Sequence, residues 1–307
     1  MCGLVGILDT RGRRDIDRAL LERMNEVQFH RGPDQGGVHL EPGVGLAHRR
    51  LSIIDLSSGR QPLFNEDGSV VVVYNGEIYN FPALSEELKA AGHVFRTHCD
   101  TEVIVHAWEE WGEACVERFR GMFAFALWDR NREVLLLARD RLGIKPLHYA
   151  LLPDGRLLFA SEIKSLLVDP RLSREIDPLA VEEYFAFGYV PDPRSIFEQV
   201  RKLEAGHRLL VHRGEPLGVP ECYWDLRFSA ENHGDEQAMA GELIERLREA
   251  VKIRLVAEVP LGAFLSGGVD SSAVVAMMAG LSGDPVNTCS ISFGDPAFNE
   301  TEYAAQV

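Results

Sequence analysis

The sequence lacks an excess of basic residues and any long apolar run, and each absence excludes a class of protein. Its 307 residues include 47 Asp and Glu but only 32 Lys and Arg, which gives a formal net charge of −15. Nucleic-acid binders and proteins of anionic membrane surfaces normally carry basic clusters. The longest apolar run after the first eight residues, at 122–128, is far shorter than the ~20 residues of a membrane helix. We therefore expect neither nucleic acid nor a membrane as a partner.

Paired cysteines are also missing. The five cysteines form no Cys-x-x-Cys motif, and their odd number and wide spacing fit reduced thiols in a cytoplasm better than a disulfide framework. The same spacing argues against a structural zinc site, and we expect no metal held by protein ligands. The apolar start is too short for a secretion signal and is followed by charged residues from Asp9 onward. These features predict a cytoplasmic protein.

One cysteine stands where it can act as a nucleophile. Cys2 directly follows the initiator Met1, so removal of Met1 would leave a thiol and a free α-amine on one residue. The thiolate is the reactive form of cysteine, and an α-amine with an ordinary pKa of about 8 can take the thiol proton, directly or through water. The alternative is that Cys2 is a small hydrophobic residue opening a buried strand.

Patterns along the chain predict two domains. Residues 1–215 alternate short β-rich runs with helical patterns, which is typical of a mixed α and β domain with stacked sheets. A connector rich in Gly, Pro and polar residues is predicted at 216–236. Residues 237–307 contain a helix, a strand, a glycine turn, a second helix and a second strand, the start of a parallel α/β domain.

Hydrophobic periodicity gives bounds for these elements. The predicted strands include 4–8, 70–74, 123–128, 134–138 and 157–160 in the first domain and 261–265 and 288–293 in the second. The predicted helices are 82–91, 101–111, 178–187, 238–256 and 270–281, and a further helical pattern begins at Asn299.

A glycine turn lies between a predicted strand and a predicted helix of the second domain. Its residues are Ser266, Gly267, Gly268, Val269, Asp270, Ser271 and Ser272. Such a turn directs backbone N–H groups and a helix dipole at one point, where a phosphate fits. The serines add hydroxyl donors, and Asp270 can cap the helix or help to hold Mg²⁺ beside pyrophosphate. The alternative is a helix cap without a ligand.

Three further segments can form a cradle for an amino acid. Arg50 precedes an apolar run interpreted as a strand and can pair with a carboxylate. Asn75 and Gly76 follow the run 70–74, where a tight turn would present an amide donor and a bare backbone N–H. Asp100 precedes a predicted helix and can receive an ammonium group. Taken singly, each has a simpler structural interpretation, as a surface arginine, a hairpin turn or a helix cap. Taken together with Cys2, they suit the binding of a free amino acid whose side-chain amide the thiol attacks.

Together these segments resemble the N-terminal half of a glutamine-dependent asparagine synthetase of the bacterial B type. The matching strings lie at 1–6 (MCGLVG), 30–34 (HRGPD), 50–53 (RLSI), 74–80 (YNGEIYN), 121–126 (GMFAFA), 139–143 (RDRLG) and 266–272 (SGGVDSS). The last of these resembles the loop of ATP pyrophosphatases. The resemblance covers essentially the whole chain.

The resemblance implies an α+β N-terminal-nucleophile fold, an αββα sandwich, followed by the start of an α/β ATP-pyrophosphatase domain. It implies glutamine hydrolysis at Cys2 and transfer of the ammonia to an adenylated aspartate, which yields asparagine, AMP and pyrophosphate. Glutamine, aspartate and ATP would be the substrates and Mg²⁺ a cofactor. A homodimer is compatible with the family.

The resemblance also assigns roles by position. Catalysis falls to Cys2, Asn75 and Gly76. Glutamine binding falls to Arg50, Leu51, Ser52, Ile53, Ile54, Asn75, Gly76, Glu77 and Asp100. ATP binding falls to Leu265, Ser266, Gly267, Gly268, Asp270, Ser271, Ser272 and Phe293.

Several alternatives stay open at this point. Members of the resembled family are much longer, and the segments that complete their ATP and aspartate sites are expected downstream of residue 307. The ammonia could therefore go to another carboxylate, on a peptide, an antibiotic or a cell-envelope polymer, or this chain could act as a glutaminase alone. A non-catalytic module is a further reading, against which the presence of Cys2, Arg50, Asn75 and Asp100 argues.

Overall fold

The computed structural model describes residues 1–229 and 235–307. The chain divides into two compact units, Met1–Arg227 and Phe228–Val307. The predicted connector at 216–236 spans this division, and its residues 230–234 lie outside the described residues. Among the described residues, no helix is long and apolar enough to cross a bilayer.

The first unit is built on two antiparallel sheets. Its described strands are β1 (Gly3–Asp9), β2 (Gln35–Glu41), β3 (Val44–Arg50), β4 (Leu63–Phe64), β5 (Val70–Ile78), β6 (Gly121–Asp129), β7 (Val134–Arg139), β8 (His148–Leu151), β9 (Arg156–Ala160), β10 (Arg201–Lys202), β11 (His207–His212) and β12 (Glu221–Cys222). The first sheet has the order β10-β8-β9-β1-β3-β2, and the second has the order β12-β11-β7-β6-β5-β4.

Helices cover the outer faces of both sheets. The described helices of this unit are α1 (Arg18–Glu26), α2 (Phe81–Ala90), α3 (Asp100–Trp111), α4 (Cys115–Arg118), α5 (Ile163–Leu166) and α6 (Pro178–Phe187). Apolar side chains of α1 and α5 pack on the first sheet, and those of α2 and α3 pack on the second. The layers follow the order α, β, β, α, which confirms the predicted sandwich.

Strand β5 shows why strands of the second sheet are continuous apolar runs in the sequence. Val71 and Val73 pack in the core between the sheets, while Val70, Val72 and Tyr74 pack beneath α2 and α3. Successive side chains of a strand point to opposite faces, so a strand buried on both faces has no polar alternation.

The second described unit is a small α/β arrangement. Its elements are α7 (Glu236–Lys252), β13 (Gly262–Phe264), α8 (Val269–Leu281), β14 (Asn287–Cys289) and α9 (Thr301–Gln306). Strands β13 and β14 pair in parallel, as expected for the start of a parallel domain.

Most predicted elements are confirmed within two residues at each end, and the helix predicted at 178–187 coincides with α6. Two predictions in the second unit are too long. Helix α7 ends at Lys252 because the next turn tightens, with Arg254 N–H bonded to Val251 O and Leu255 N–H bonded to Lys252 O. Strand β14 ends at Cys289, after which the Ser290 hydroxyl, rather than a ladder bond, joins the chain to Leu265 O.

Two predictions in the first unit are wrong in kind. Residues 75–77 do not form a tight turn, because β5 continues to Ile78 and pairs with β6 as far as Gly121. The apolar segment 51–54 is a loop rather than a strand. This loop folds around the side chain of Arg50, as described below, and therefore leaves the sheet.

Candidate active site

A cavity of about 190 Å³ in the first unit is lined by residues of both sheets. Nine residues assigned to catalysis or glutamine binding line it: Cys2, Arg50, Leu51, Ile53, Ile54, Asn75, Gly76, Glu77 and Asp100. Ser52 does not line it, and its backbone N–H instead donates to Asp34 Oδ2 at 2.8 Å. The structure therefore places residues up to 98 positions apart in one site.

Cys2 immediately precedes β1, where its thiol meets the backbone of Leu51. Cys2 Sγ lies 3.6 Å from Leu51 O and 3.4 Å from Leu51 N. Burial raises the pKa of the Cys2 thiol and lowers the pKa of the Met1 amino group. The thiol is therefore protonated at neutral pH and needs a base, and an amino group in this environment is easier to deprotonate than one in water.

The string at 30–34 contacts the backbone of Cys2 through Arg31. Arg31 Nε donates to Cys2 O at 2.8 Å, and Arg31 is also paired with Glu162 at 2.9 Å. Burial raises the pKa of Glu162, but its bonds to Arg31, Lys164 and His30 outweigh burial and lower that pKa to about 2. The ionised carboxylate therefore holds Arg31 against the backbone of Cys2.

Strand β5 presents donors along the edge that faces away from β6. Tyr74 N–H donates to Gln61 Oε1 at 2.7 Å, and Ile78 N–H donates to Asp100 Oδ2 at 2.9 Å. Residues two apart in a strand direct their N–H groups to the same edge. Gly76 N–H therefore points to this edge as well, between the two bonded groups and beside the cavity that Gly76 lines.

The strand opposite Gly76 agrees with this orientation. Gly76 is paired with Phe123 of β6, whose N–H and C=O bond instead to Asp140 on the other side. A Cβ atom at Gly76 would lie 2.2 Å from Met122 O. The glycine is thus required by the close approach of β6, rather than by the tight turn that the sequence suggested.

Asn75 supplies a second donor. Its side chain is buried, and Asn75 Nδ2 has no hydrogen-bond partner among the described residues. Buried polar groups are nearly always paired, so an unpaired amide in a cavity wall calls for a ligand. Asn75 Nδ2 and Gly76 N–H are suited to hold a developing oxyanion.

Asp100 is the first residue of α3 and is buried. Its Oδ2 accepts hydrogen bonds from the Tyr74 hydroxyl at 2.7 Å and from Ile78 N–H at 2.9 Å. Burial raises the pKa of Asp100, and these bonds oppose the increase. A positively charged ligand group would stabilise the ionised form further, because it would sit against a carboxylate with little water around it.

Arg50 ends β3, and its guanidinium organises the loop that follows. Arg50 Nη2 donates to Ile54 O at 2.9 Å and to Asp55 O at 2.7 Å, and Nη1 donates to Gln35 Oε1 at 3.2 Å. These bonds use three of the five guanidinium N–H groups. The other two can meet a ligand carboxylate, so Arg50 both shapes the cavity and can bind within it.

Sequence analysis missed several wall residues, among them Gln61, Tyr74, Met122 and Lys145. Tyr74 and Gln61 matter because they hold Asp100 and the edge of β5. Lys145 is buried in the wall, and burial lowers the pKa of its ammonium group. The string at 139–143 could have pointed to Lys145, because Asp140 in that string accepts the Lys145 N–H at 3.0 Å and so positions Lys145.

The glycine turn of the second unit borders a cavity of about 310 Å³. Four of the assigned ATP residues line it: Leu265, Ser266, Ser271 and Phe293. The other four, Gly267, Gly268, Asp270 and Ser272, do not. Within the turn, Ser266 Oγ lies 3.0 Å from Ser271 Oγ and accepts from Gly268 N–H at 3.3 Å.

Two details of this turn bear on the predictions. The residue that caps α8 is Gly268, so the first of the two roles considered for Asp270, a helix cap, is wrong; Asp270 lies exposed in the first helical turn. Gly267 has φ +81°, a conformation that favours glycine. Ser272 Oγ is buried without a partner among the described residues.

Comparison with known proteins decides the family. A glutamine amidotransferase domain model matches residues 1–224. The chain belongs to the glutamine amidotransferase family. A second model, of asparagine synthase, matches residues 242–307, which confirms the resemblance drawn from the sequence.

The relatives of this amidotransferase carry matching names. It is 36% identical to asparagine synthetase [glutamine-hydrolyzing] 1 of Bacillus subtilis over all of the chain and 48% of that relative. It is 36% identical to a putative asparagine synthetase of Methanocaldococcus jannaschii, over 99% of the chain and 62% of the relative. The chain spans about half to three fifths of the length of these relatives.

A solved structure supports the fold independently of sequence. The glutamine PRPP amidotransferase of B. subtilis superimposes with a TM-score of 0.53 at 18% identity, over 94% of this chain and 65% of that one. This similarity shows the fold, and the site must be argued from the residues themselves.

Proposed function

We propose that this chain hydrolyses glutamine at Cys2 and that the ammonia serves an ATP-dependent amidation of aspartate. The observation that supports the first step is one cavity that gathers a thiol, an unpaired buried amide, a guanidinium and a buried carboxylate. Glutamine has the complementary groups. Its carboxylate suits Arg50, its ammonium suits Asp100, and its amide carbonyl suits Asn75 Nδ2 and Gly76 N–H.

The reaction follows from these positions. Cys2 Sγ attacks the amide carbon of glutamine, and the carbonyl oxygen becomes an oxyanion held by Asn75 and Gly76. The C–N bond then breaks, and ammonia leaves with the proton that the thiol gave up. Water hydrolyses the resulting thioester, which releases glutamate and restores the thiol.

The base for this step would be the α-amine of Cys2 after removal of Met1. The thiol needs such a base because its pKa is raised by burial. The amino group of Met1 shows the direction of the local effect, since burial lowers its pKa. An amine with a lowered pKa is neutral in a larger fraction of molecules at a given pH, and the neutral amine can accept the thiol proton.

The second unit would bind ATP. The turn fits a phosphate group because Ser266 and Ser271 present hydroxyl groups beside the cavity at the N-terminus of α8. Asp270 would help to hold Mg²⁺ beside the phosphates. Bound ATP would supply the adenylate that activates the acceptor carboxylate for attack by ammonia.

The acceptor is aspartate in this proposal because the second family model and the named relatives are those of asparagine synthetases. One relative, amidase chyE of Penicillium rubens, is not named as an asparagine synthetase. It is 38% identical over 85% of this chain and 38% of its own length. The same chemistry on another carboxylate is therefore the second candidate. We place the reaction in the cytoplasm, in keeping with five free cysteines.

Glutamine-to-glutamate turnover by the purified chain tests the glutaminase step. Wild type, Cys2→Ala and Cys222→Ala would be compared, with mass spectrometry to establish whether Met1 has been removed. Cys222 is exposed and lies outside the cavity, so its variant controls for loss of a thiol. We expect turnover by wild type and C222A and none by C2A. No turnover by folded, processed wild type would overturn glutaminase activity of this chain.

The acceptor can be tested in the protein expressed from its complete reading frame. ATP–pyrophosphate exchange would be measured with aspartate and with other carboxylates. Exchange that depends on aspartate, together with asparagine formation from glutamine, is expected. Exchange that aspartate does not stimulate, but that another carboxylate does, would replace aspartate with that acceptor and leave the glutaminase step intact.

A further inference from the structure

A cluster of histidine and glutamate side chains lies outside the glutaminase cavity, where α3 meets two loops. Its members are Glu66 of the β4–β5 loop, His93 of the α2–α3 loop, and Glu102, His106, Glu109 and Glu110 of α3. The proposed chemistry uses none of these side chains. The first residue of α3, Asp100, lines the glutaminase cavity, so the cluster is attached to an element of the site.

Ligand atoms of three members of the cluster lie close enough together to share a single ion. One ligand atom from each of Glu66, His93 and His106 lies within 4.8 Å of the other two. His106 Nδ1 is 3.7 Å from Glu66 Oε2 and 3.1 Å from Glu109 Oε2, and His93 Nδ1 is 3.7 Å from Glu109 Oε2. In a tetrahedral site with bonds of about 2.0–2.1 Å, neighbouring ligand atoms lie about 3.3 Å apart.

Each histidine has a carboxylate on its outer side. His93 Nε2 is 3.2 Å from Glu110 Oε2, and His106 Nε2 is 3.7 Å from Glu102 Oε1. A metal-binding imidazole commonly donates its other N–H to a carboxylate, which sets its tautomer and orientation. His106 is fully buried, and its Nε2 has no hydrogen-bond partner among the described residues. If His106 bound the metal ion through Nδ1, its Nε2–H would be free to donate to Glu102.

The charge of the cluster also favours a cation. In the described part of the chain, no Lys or Arg side chain forms an ion pair with Glu66, Glu102, Glu109 or Glu110. Arg96 approaches, but its Nη2 donates to the backbone carbonyl of Glu66. Even two protonated imidazoles would leave an excess of negative charge among four carboxylates.

We propose that Glu66, His93 and His106, with Glu109 as the fourth ligand, bind a divalent transition-metal ion of the zinc type. Two imidazoles favour Zn²⁺ over Mg²⁺ or Ca²⁺, which prefer oxygen ligands. Four protein ligands and a half-buried location indicate a structural ion that joins α3 to both loops. The cysteine spacing excluded a thiolate site, but it carries no information about ligands of this kind.

The alternative to a metal ion in this cluster is a proton on His106. Burial disfavours the charged form of His106, but the nearby carboxylates of Glu102 and Glu109 outweigh it and raise the pKa of His106 to about 9. Without an ion, the cluster would be a network of ion pairs centred on an imidazolium. Direct measurement of metal binding separates these two states.

Metal binding would be measured on the purified chain after chelator treatment. Zn²⁺ affinity would be determined by competition with a chromophoric chelator, and Co²⁺ would report coordination through its visible absorption. We expect one equivalent of Zn²⁺ per chain and the strong d–d bands of tetrahedral Co²⁺. Glu66→Gln and His93→Asn should each weaken binding at least about tenfold, since even outer-shell changes cost 10- to 100-fold.

Matched controls keep the outcome clear. His98 lies in the same loop as His93 and is exposed, and its backbone N–H donates to Asp55, so His98→Asn should bind as wild type does. Circular dichroism would establish that E66Q and H93N are folded. Binding that neither variant weakens would overturn the site. A Co²⁺ spectrum dominated by thiolate charge transfer would also overturn it, because it would place the ion on cysteines.

Discussion

At the scale of single residues, the side-chain amide of Asn75 tests the proposed chemistry most directly. Asn75→Ala should lower kcat for glutamine hydrolysis by about 10²- to 10³-fold and change KM much less, because an oxyanion donor acts mainly in the transition state. Steady-state kinetics would measure both constants. Asn80→Ala is a matched control, since Asn80 bonds to Arg118 O and Arg120 N–H outside the cavity. A rise in KM with unchanged kcat would assign Asn75 to ground-state binding instead.

Gly76 has a steric role beside the catalytic role proposed for it. Its added Cβ would meet Met122 O at 2.2 Å and Phe123 Cα at 2.7 Å, so Gly76→Ala must push β5 away from β6. We expect the free energy of unfolding to fall by about 1–3 kcal/mol, the usual cost of overpacking, as measured by urea denaturation. Gly218→Ala, where nothing lies within 4 Å, should change it little. An unfolding midpoint for G76A equal to that of wild type would contradict the close approach.

At the scale of elements, the contact between β5 and the start of α3 sets the position of Asp100. Tyr74→Phe removes the hydroxyl that donates to Asp100 Oδ2 at 2.7 Å without removing the ring. Losing one such bond costs about 1 kcal/mol, which corresponds to a rise of roughly fivefold in KM for glutamine, with kcat nearly unchanged. Tyr184→Phe, at an exposed tyrosine, is the control. Equal KM values for Y74F and wild type would show that the ammonium of glutamine is bound elsewhere.

The loop after β3 illustrates an error of element type. Its residues 51–54 are mostly apolar, and this pattern predicts a strand. In the structure, the Arg50 guanidinium bonds to the carbonyl groups of Ile54 and Asp55. Asp55, at φ +50°, in turn accepts bonds from Ser58 and His98 N–H. A buried arginine that needs acceptors therefore overrides the strand propensity of the segment.

At the scale of the whole molecule, buried histidines link stability to pH. Burial lowers the pKa of His48 to about 3 and that of His148 to about 4. Unfolded histidine has a pKa near 6.5, so below that pH the unfolded chain binds protons that the folded chain does not. Stability from these residues is therefore complete above about pH 6.5 and falls with pH by up to about 1.4 kcal/mol per unit for each histidine.

Thermal unfolding at pH 7 and pH 5 checks this dependence. The loss on acidification should be smaller in His48→Gln than in wild type, because Gln keeps a donor for Tyr74 O, which His48 Nε2 meets at 2.8 Å, but does not titrate. His212→Gln, at an exposed histidine, should behave as wild type does. The same acid dependence in H48Q and wild type would mean that His48 is charged in the folded state.

The sequence by itself determined most element bounds and a first domain of mixed α and β structure with stacked sheets, and its resemblance to a known family supplied the sandwich fold and the main participants in the candidate site. Apolar runs predict β5, β6 and β7 because these strands are buried on both faces, and Cys2, Arg50, Asn75 and Asp100 are recognisable from their residue types and motifs. Local patterns suffice for the element bounds because these depend on each residue and its neighbours in the chain.

Only the tertiary structure decided which groups meet. The direction of Gly76 N–H depends on pairing with β6, the place of Asp100 depends on Tyr74, and the presence of Lys145 in the wall depends on Asp140. Glu66, His93 and His106 come together only because two loops pack against α3. Most of these contacts join residues far apart in the chain, and their geometry comes from packing of the whole unit, which no local pattern records.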